Sequence, residues 1–278
     1  MKKIIAIVLA LLMFASLCAC GAKKEEAPAN PYNLVTPGKL TVATSPDFAP
    51  YEFYAIDASG NPTLAGFDVA LAGYIANKMG VELEMVPIDF DGVLMELQTK
   101  KVDLGIAGLS PSEERKSSMD FSDIYYMGGQ SFVTVKGSED KFKSLEDTNK
   151  AEYQIGAQTG SIQVGLAEEN SPDADIIQLA KVTDIIAELL AGKLDGAYIE
   201  TAVAESYKVN YPDLAIVLDV PYDVEGSAIG VSKGNAELLK AVNEAIAAAK
   251  ADGSLDKFVA EANEQAAGEI YEGLLEDK

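Results

Sequence analysis

Two rhythms of apolar and polar positions alternate along most of this chain. Short dense runs of Val, Ile and Leu predict buried strands. Longer stretches, with apolar side chains recurring every third or fourth position, predict helices. From Lys39 onward, "KLTVAT" (39–44) predicts a strand and "GFDVALAGYIANKMG" (66–80) a helix stopped by Gly80. "VELEMVPI" (81–88) follows as a strand, "FDGVLMELQTKK" (90–101) as a helix and "VDLGIAGL" (102–109) as a strand, with a short helix opening at Ser110. After "YYMGGQSFVTVKG" (125–137) a second series begins. It reads strand (152–160), helix (161–170), strand (175–180), helix (182–193), strand (194–199), helix (200–210) and strand (214–220). A strand at 227–233 and a long helix from about Asn235 to Lys250 close it, with "SLDKFVAEANEQ" continuing after Gly253. This alternation predicts an α/β protein of two units, each a parallel sheet covered on both faces. Ligands in such folds gather at the carboxyl ends of strands. The turns to search are therefore 45–53, 88–91, 107–115, 158–163 and 199–201.

The first residues break the rhythm. Lys2 and Lys3 precede an apolar run, Ile4 to Ala15, of signal-peptide length and too short to span a bilayer. Leu17, Cys18, Ala19 and Cys20 then resemble a bacterial lipobox, whose last cysteine is lipidated after cleavage. Residues 1–19 are expected to be a signal peptide. Residues 20–37, polar and with three prolines, are expected to be a lipidated tether. Both cysteines of the chain fall here, which leaves the mature domain without a disulfide, a thiol nucleophile or a CxxC metal site.

Charge and composition narrow the classes further. The net charge of −22 disfavours nucleic acid and anionic membrane surfaces. Membrane attachment would come from a lipid on Cys20. The chain has no histidine, so a Ser-His-Asp triad, a His-liganded zinc site and a His general base are all excluded. No cofactor or metal is expected.

Among 22 basic residues there is one arginine, Arg115. Ser110, Pro111 and Glu113 fit a helix start, with Ser110 as N-cap and Glu113 completing a capping box. Arg115 would then lie near a helix N-terminus, where anions are favoured. A guanidinium offers a carboxylate two parallel donors, which an ammonium does not. The competing reading is a surface arginine paired with Glu114 or Asp120. Phe48, on a loop stiffened by Pro46 and Pro50, and Phe90 at an equivalent turn fit either pocket walls or core. Gly160 and Ser161 precede a helix whose N–H groups could bind an anion, without the spacing of a phosphate loop. Glu200 lies where a strand ends and a helix begins, a common place for a glutamate with no special purpose.

The strings "GKLTVATSPDFAPYEF", "GFDVAL", "PIDFDGVLMELQTKKVDLGIAGLSPSEERKSSMDFSD", "GAQTGSIQ" and "LDGAYIE" resemble polar amino-acid-binding proteins of bacterial ABC importers, solute-binding protein family 3. The likeness covers nearly all of 38–264. It implies a type II periplasmic-binding-protein fold, with two mainly parallel lobes that close on a free amino acid. The alternatives are a dehydratase or lyase on the same fold with Glu200 or Asp91 as acid, disfavoured because the mature domain has no His or Cys, and a sensing lipoprotein without a transport role; no enzymatic activity is expected. It implies that Arg115 grips the α-carboxylate with Ser110 and Ser161, and that Glu200 takes the α-ammonium with a carbonyl near Gly108. Phe48 and Phe90 would sandwich the side chain, with Ser45 and Gly160 also at the site. Ser45 stands where relatives that read a charged or polar side chain often carry an acid; Asp47, Glu52 and Asp91 are the nearby substitutes. Ile162 replaces a second hydroxyl of the 158–163 turn. Lobe 1 is expected to span 38–127 and 224–278, and lobe 2 128–223. Gly128–Val133 and Gly226–Gly230 would form the hinge. The expected role is a monomeric, lipid-anchored, extracytoplasmic protein that hands its ligand to an ABC permease.

Overall fold

The protein is described by a computed structural model over residues 30–223 and 226–268. The expected signal peptide, Cys20 and residues 269–278 lie outside the described residues. In chain order the strands are β1 (Lys39–Thr44), β2 (Asp47–Phe48), β3 (Glu52–Ile56), β4 (Pro62–Ala65), β5 (Glu82–Pro87), β6 (Leu104–Gly105) and β7 (Met119–Phe121). They continue as β8 (Gln130–Val135), β9 (Gln154–Gln158), β10 (Asp175–Leu179), β11 (Gly196–Glu200), β12 (Leu214–Asp219) and β13 (Gly230–Ser232). The helices are α1 (Phe67–Met79), α2 (Phe90–Gln98), α3 (Glu113–Lys116), α4 (Ile162–Asn170), α5 (Val182–Leu190), α6 (Thr201–Asn210), α7 (Ala236–Ala251) and α8 (Ser254–Ala266).

Two five-stranded sheets organise the chain, in the orders β5-β1-β6-β13-β7 and β10-β9-β11-β8-β12. In the first, β1 is parallel to β5 and β6, while β13 is antiparallel to β6 and β7. In the second, β9 is parallel to β10 and β11, while β8 is antiparallel to β11 and β12. One strand in each sheet thus runs against the other four. It is the strand the chain enters directly from the other sheet: β8 after β7, and β13 after β12. The two crossings lie side by side, with a bridge between Tyr126 and Ser227 and with Ser227 N donating to Tyr126 O at 2.8 Å.

The local chemistry explains most elements. β1 is apolar and buried from Leu40 onward because it lies between two parallel neighbours. α1 buries Leu71 and Ile75 and stops at Gly80, whose φ of 70° is left-handed. Three expectations are corrected. The helix at 110–115 begins later: Ser112, not Ser110, is the N-cap of α3, and its hydroxyl accepts from Arg115 N. The S-x-x-E spacing favours Ser110, whose carbonyl instead accepts from Ser112 N and from the Arg115 guanidinium. The end of the expected tether packs on the first sheet, where Leu34 is buried and Val35 N donates to Asp103. The turn at 45–53 holds β2 and the start of β3, which with β4 form the small sheet β2-β3-β4. Its strands are too short to show a period.

Candidate functional site

The carboxyl ends of β6, β9 and β11 and the starts of α2, α3 and α4 converge on one narrow cavity between the sheets. Of the nine residues singled out in the sequence, seven line it: Phe48, Phe90, Gly108, Ser110, Arg115, Ser161 and Glu200. Gly160 and Ser45 do not. Gly160 stands behind Arg115 and offers it a carbonyl. Ser45 is buried below the cavity, its hydroxyl donating to Asp47 at 2.8 Å.

Arg115 is held from both halves of the molecule. Its Nη1 donates to Ser110 O at 3.1 Å, and its Nη2 donates across the cleft to Gly160 O at 3.0 Å. The guanidinium lies over Phe90, 5.5 Å from the ring centroid. No ion pair within reach of Arg115 is formed among the described residues, and Asp120 pairs instead with Lys233 at 2.8 Å. Two carbonyls fix the fork and leave N–H donors of its five for a ligand. Burial pushes its pKa down to about 10, so it stays cationic at neutral pH. Beside it, the N-terminus of α4 presents Ser161, Ile162 and Gln163 to the cavity. The Ser161 hydroxyl donates to Gln158 O at 2.7 Å. A guanidinium next to a helix N-terminus is an anion site.

Glu200 supplies the opposite charge. It ends β11 and caps α6, and its Oε2 accepts from Val203 N at 2.9 Å. Its Oε1 accepts from Tyr51 OH at 3.1 Å and Gly129 N at 3.3 Å. Burial pushes its pKa up to about 7, against the lowering effect of those hydrogen bonds. A cation in the cavity would therefore favour the carboxylate strongly. A Cβ on Gly128 would stand 2.5 Å from Glu200 Oε1, so only glycine lets the crossing pass this close. Gly108 is required in the same way. Its φ is +55°, and a Cβ there would stand 2.8 Å from the Phe48 ring.

Sequence reasoning missed Gln130, Gln158, Gln163, Tyr222 and Ser227, all of which line the cavity. Gln158 and Gln163 lay inside a searched turn but carry no signal by type. Gln130 is there because β8 runs backwards: its first residue pairs with Glu200, the last residue of β11. Of the three acids named as substitutes at Ser45, none lines the cavity. Asp47 and Glu52 are buried and Asp91 is exposed.

A cationic fork and a buried carboxylate facing one cavity between two such sheets define a binding protein of the type II periplasmic class. Residues 40–263 match the bacterial extracellular solute-binding proteins, family 3, and the chain belongs to that family. It is 33% identical over 262 residues to the arginine-binding extracellular protein ArtP of Bacillus subtilis, covering 93% of this chain and 96% of that protein. It is 32% identical to a probable histidine-binding protein of Neisseria gonorrhoeae, over 94% and 95% of the two chains. A crystal structure of the amino acid ABC transporter substrate-binding protein AbpA of Streptococcus pneumoniae, bound to L-arginine, superposes with a TM-score of 0.80. It is 35% identical and covers 84% of this chain and 97% of that one. These relatives are named as binding proteins, and the chain is a binding protein and not an enzyme. Its homologues are amino-acid-binding proteins of ABC transporters.

Proposed function

We propose that this protein captures a free L-amino acid outside the cytoplasm and delivers it to an ABC permease. The observation that carries the reading is the placement of Arg115 and Glu200 on one cavity between the two sheets. Arg115, Ser110, Ser161 and the α4 N-terminus take the α-carboxylate. Glu200 and the Gly108 carbonyl take the α-ammonium, and Phe48 and Phe90 flank the side chain. Both charged groups are disfavoured by burial, and a zwitterion supplies both counter-charges at once.

In this reading lobe 1 is residues 38–127 with 224–278, and lobe 2 is 128–223. The paired crossings at 128–133 and 226–230 act as the hinge. The protein works as a monomer, tethered through a lipid on Cys20 to the outer face of the membrane. A thermal-shift screen of residues 21–278 against the twenty amino acids tests it. A ligand at ~1,000 times its Kd adds about 4 kcal/mol of stability, a shift of several degrees. A shift with one or a few L-amino acids is expected; none with any of them would remove the zwitterion site.

A further inference from the structure

Apart from Arg115 and Glu200, the polar side chains of the cavity lining are amides and hydroxyls, not carboxylates. Among the described residues, the charged side chains of the lining are Arg115 and Glu200 alone. The zwitterion reading already uses both on the α-carboxylate and α-ammonium. Gln130, Gln158 and Gln163 also line the cavity and are buried, at 5%, 3% and 7% exposed.

Their hydrogen bonds fix what they still offer. Gln163 Nε2 donates to Gln130 Oε1 at 2.7 Å. An amide pair joined by one N–H···O contact always leaves one NH₂ and one C=O for other partners. This holds whichever way the two amides are turned. Gln158 is not ambiguous. Its nitrogen has two acceptors, Asp47 Oδ2 and Ala180 O, both at 3.1 Å, so its carbonyl oxygen is the atom left over. The three glutamines therefore keep two acceptors and an NH₂ donor.

No further carboxylate lines the cavity. Asp47 is held by Ser45, Gln158 and Val182 N. Asp68, not itself in the lining, accepts from Gly108 N and Tyr125 OH, and Glu52 is wholly buried. A cationic side chain would enter without a counter-charge and would leave the NH₂ donor facing donors. A carboxylate side chain would face the two acceptors. A primary amide matches both kinds of group.

Resting on the amino-acid reading above, we propose that the ligand carries an uncharged primary-amide side chain, as L-glutamine does. Gln130, Gln158 and Gln163 would read that amide.

The test is calorimetric titration of residues 21–278, freed of carried-over ligand, with L-glutamine, L-arginine, L-lysine, L-glutamate and L-norleucine. The expected result is a Kd for glutamine at least tenfold below each of the others. Gln163→Glu should shift the arginine-to-glutamine preference at least tenfold towards arginine. Arginine or lysine binding more tightly than glutamine to the unaltered protein overturns the amide reading and leaves the zwitterion site standing. Norleucine binding as tightly as glutamine does the same. Binding of none of the five, nor of any other L-amino acid, overturns both readings. The unaltered protein decides the matter even if the variant does not fold.

Discussion

The carboxylate of Asp47, on β2 beside the first sheet, accepts a hydrogen bond from the backbone N–H of Val182, the first residue of α5 against the second sheet. The α5 N-cap, Lys181, provides no side-chain bond, so this helix is capped from the other half of the molecule. The same carboxylate accepts from Gln158 Nε2, and the Asp47 carbonyl accepts from Tyr207 OH at 2.9 Å. Asp47 thus fastens the two halves together below the cavity. In Asp47→Asn the charge at the helix N-terminus is gone, and only one side-chain oxygen remains for three donors. Ligand binding should weaken by about tenfold, the size of a lost capping or charged hydrogen bond. Calorimetry checks the affinity, and small-angle scattering should show a more open ligand-free protein.

Arg115→Lys should keep the positive charge and lose the fork. The Ser110 and Gly160 carbonyls orient the guanidinium by two separate nitrogens. An ammonium cannot hold both and still present two parallel donors. The expected loss is on the order of 1.5–3 kcal/mol of binding, read by calorimetry. An unchanged affinity would take Arg115 out of the site.

Gly128→Ala should disable the ammonium end without breaking the fold. The added methyl would stand 2.5 Å from Glu200 Oε1 and 3.0 Å from the Tyr51 hydroxyl oxygen. The carboxylate must move, and affinity should fall by about tenfold or more, given the strength of a charged hydrogen bond. Far-ultraviolet circular dichroism should be unchanged.

Acid should act on stability and on affinity in opposite directions. Burial raises Glu200 to about 7 and Asp47 and Asp68 to about 6, and holds Glu52 well above the usual range. For a group whose folded pKa exceeds its unfolded one, the stabilisation is full at low pH. It is lost as pH rises through the folded pKa. The ligand-free protein should therefore melt several degrees higher at pH 5 than at pH 7.5. Exposed acids with lowered values, such as Asp57 and Asp252, oppose this only near or below pH 4. Binding needs the Glu200 carboxylate, so affinity should fall as pH drops below about 7. Melting curves with and without ligand should diverge towards pH 7.5 and converge towards pH 5. Glu200→Gln should remove the part of that pH dependence centred near 7 and leave the part that Asp47 adds near 6.

The sequence is most informative where one residue type or one period settles the matter. β1, α1 and α5 follow from apolar spacing, and Gly80 marks its helix end as glycine does elsewhere. Arg115 stands out because it is the only guanidinium in the chain. What stayed hidden depends on contacts between distant segments. Gln130 reaches the cavity only because β8 is reversed and starts opposite Glu200. Asp47 reads as a loop acid, and its partners lie 111 and 135 positions away. Ser110 carries the capping-box spacing with Glu113, yet Ser112 is the cap, and the Ser110 carbonyl accepts from the Arg115 guanidinium.

The central claim is that one cavity grips both ends of a zwitterion. The amino acid that gives the largest thermal shift can be compared by calorimetry with its α-carboxamide and its N-acetyl derivative, at pH 7.5. Each derivative keeps the side chain and removes one charge. Both should bind at least about tenfold more weakly than the free amino acid, since each loses a charged hydrogen bond at Arg115 or Glu200. Either derivative binding within twofold of the parent would contradict the account.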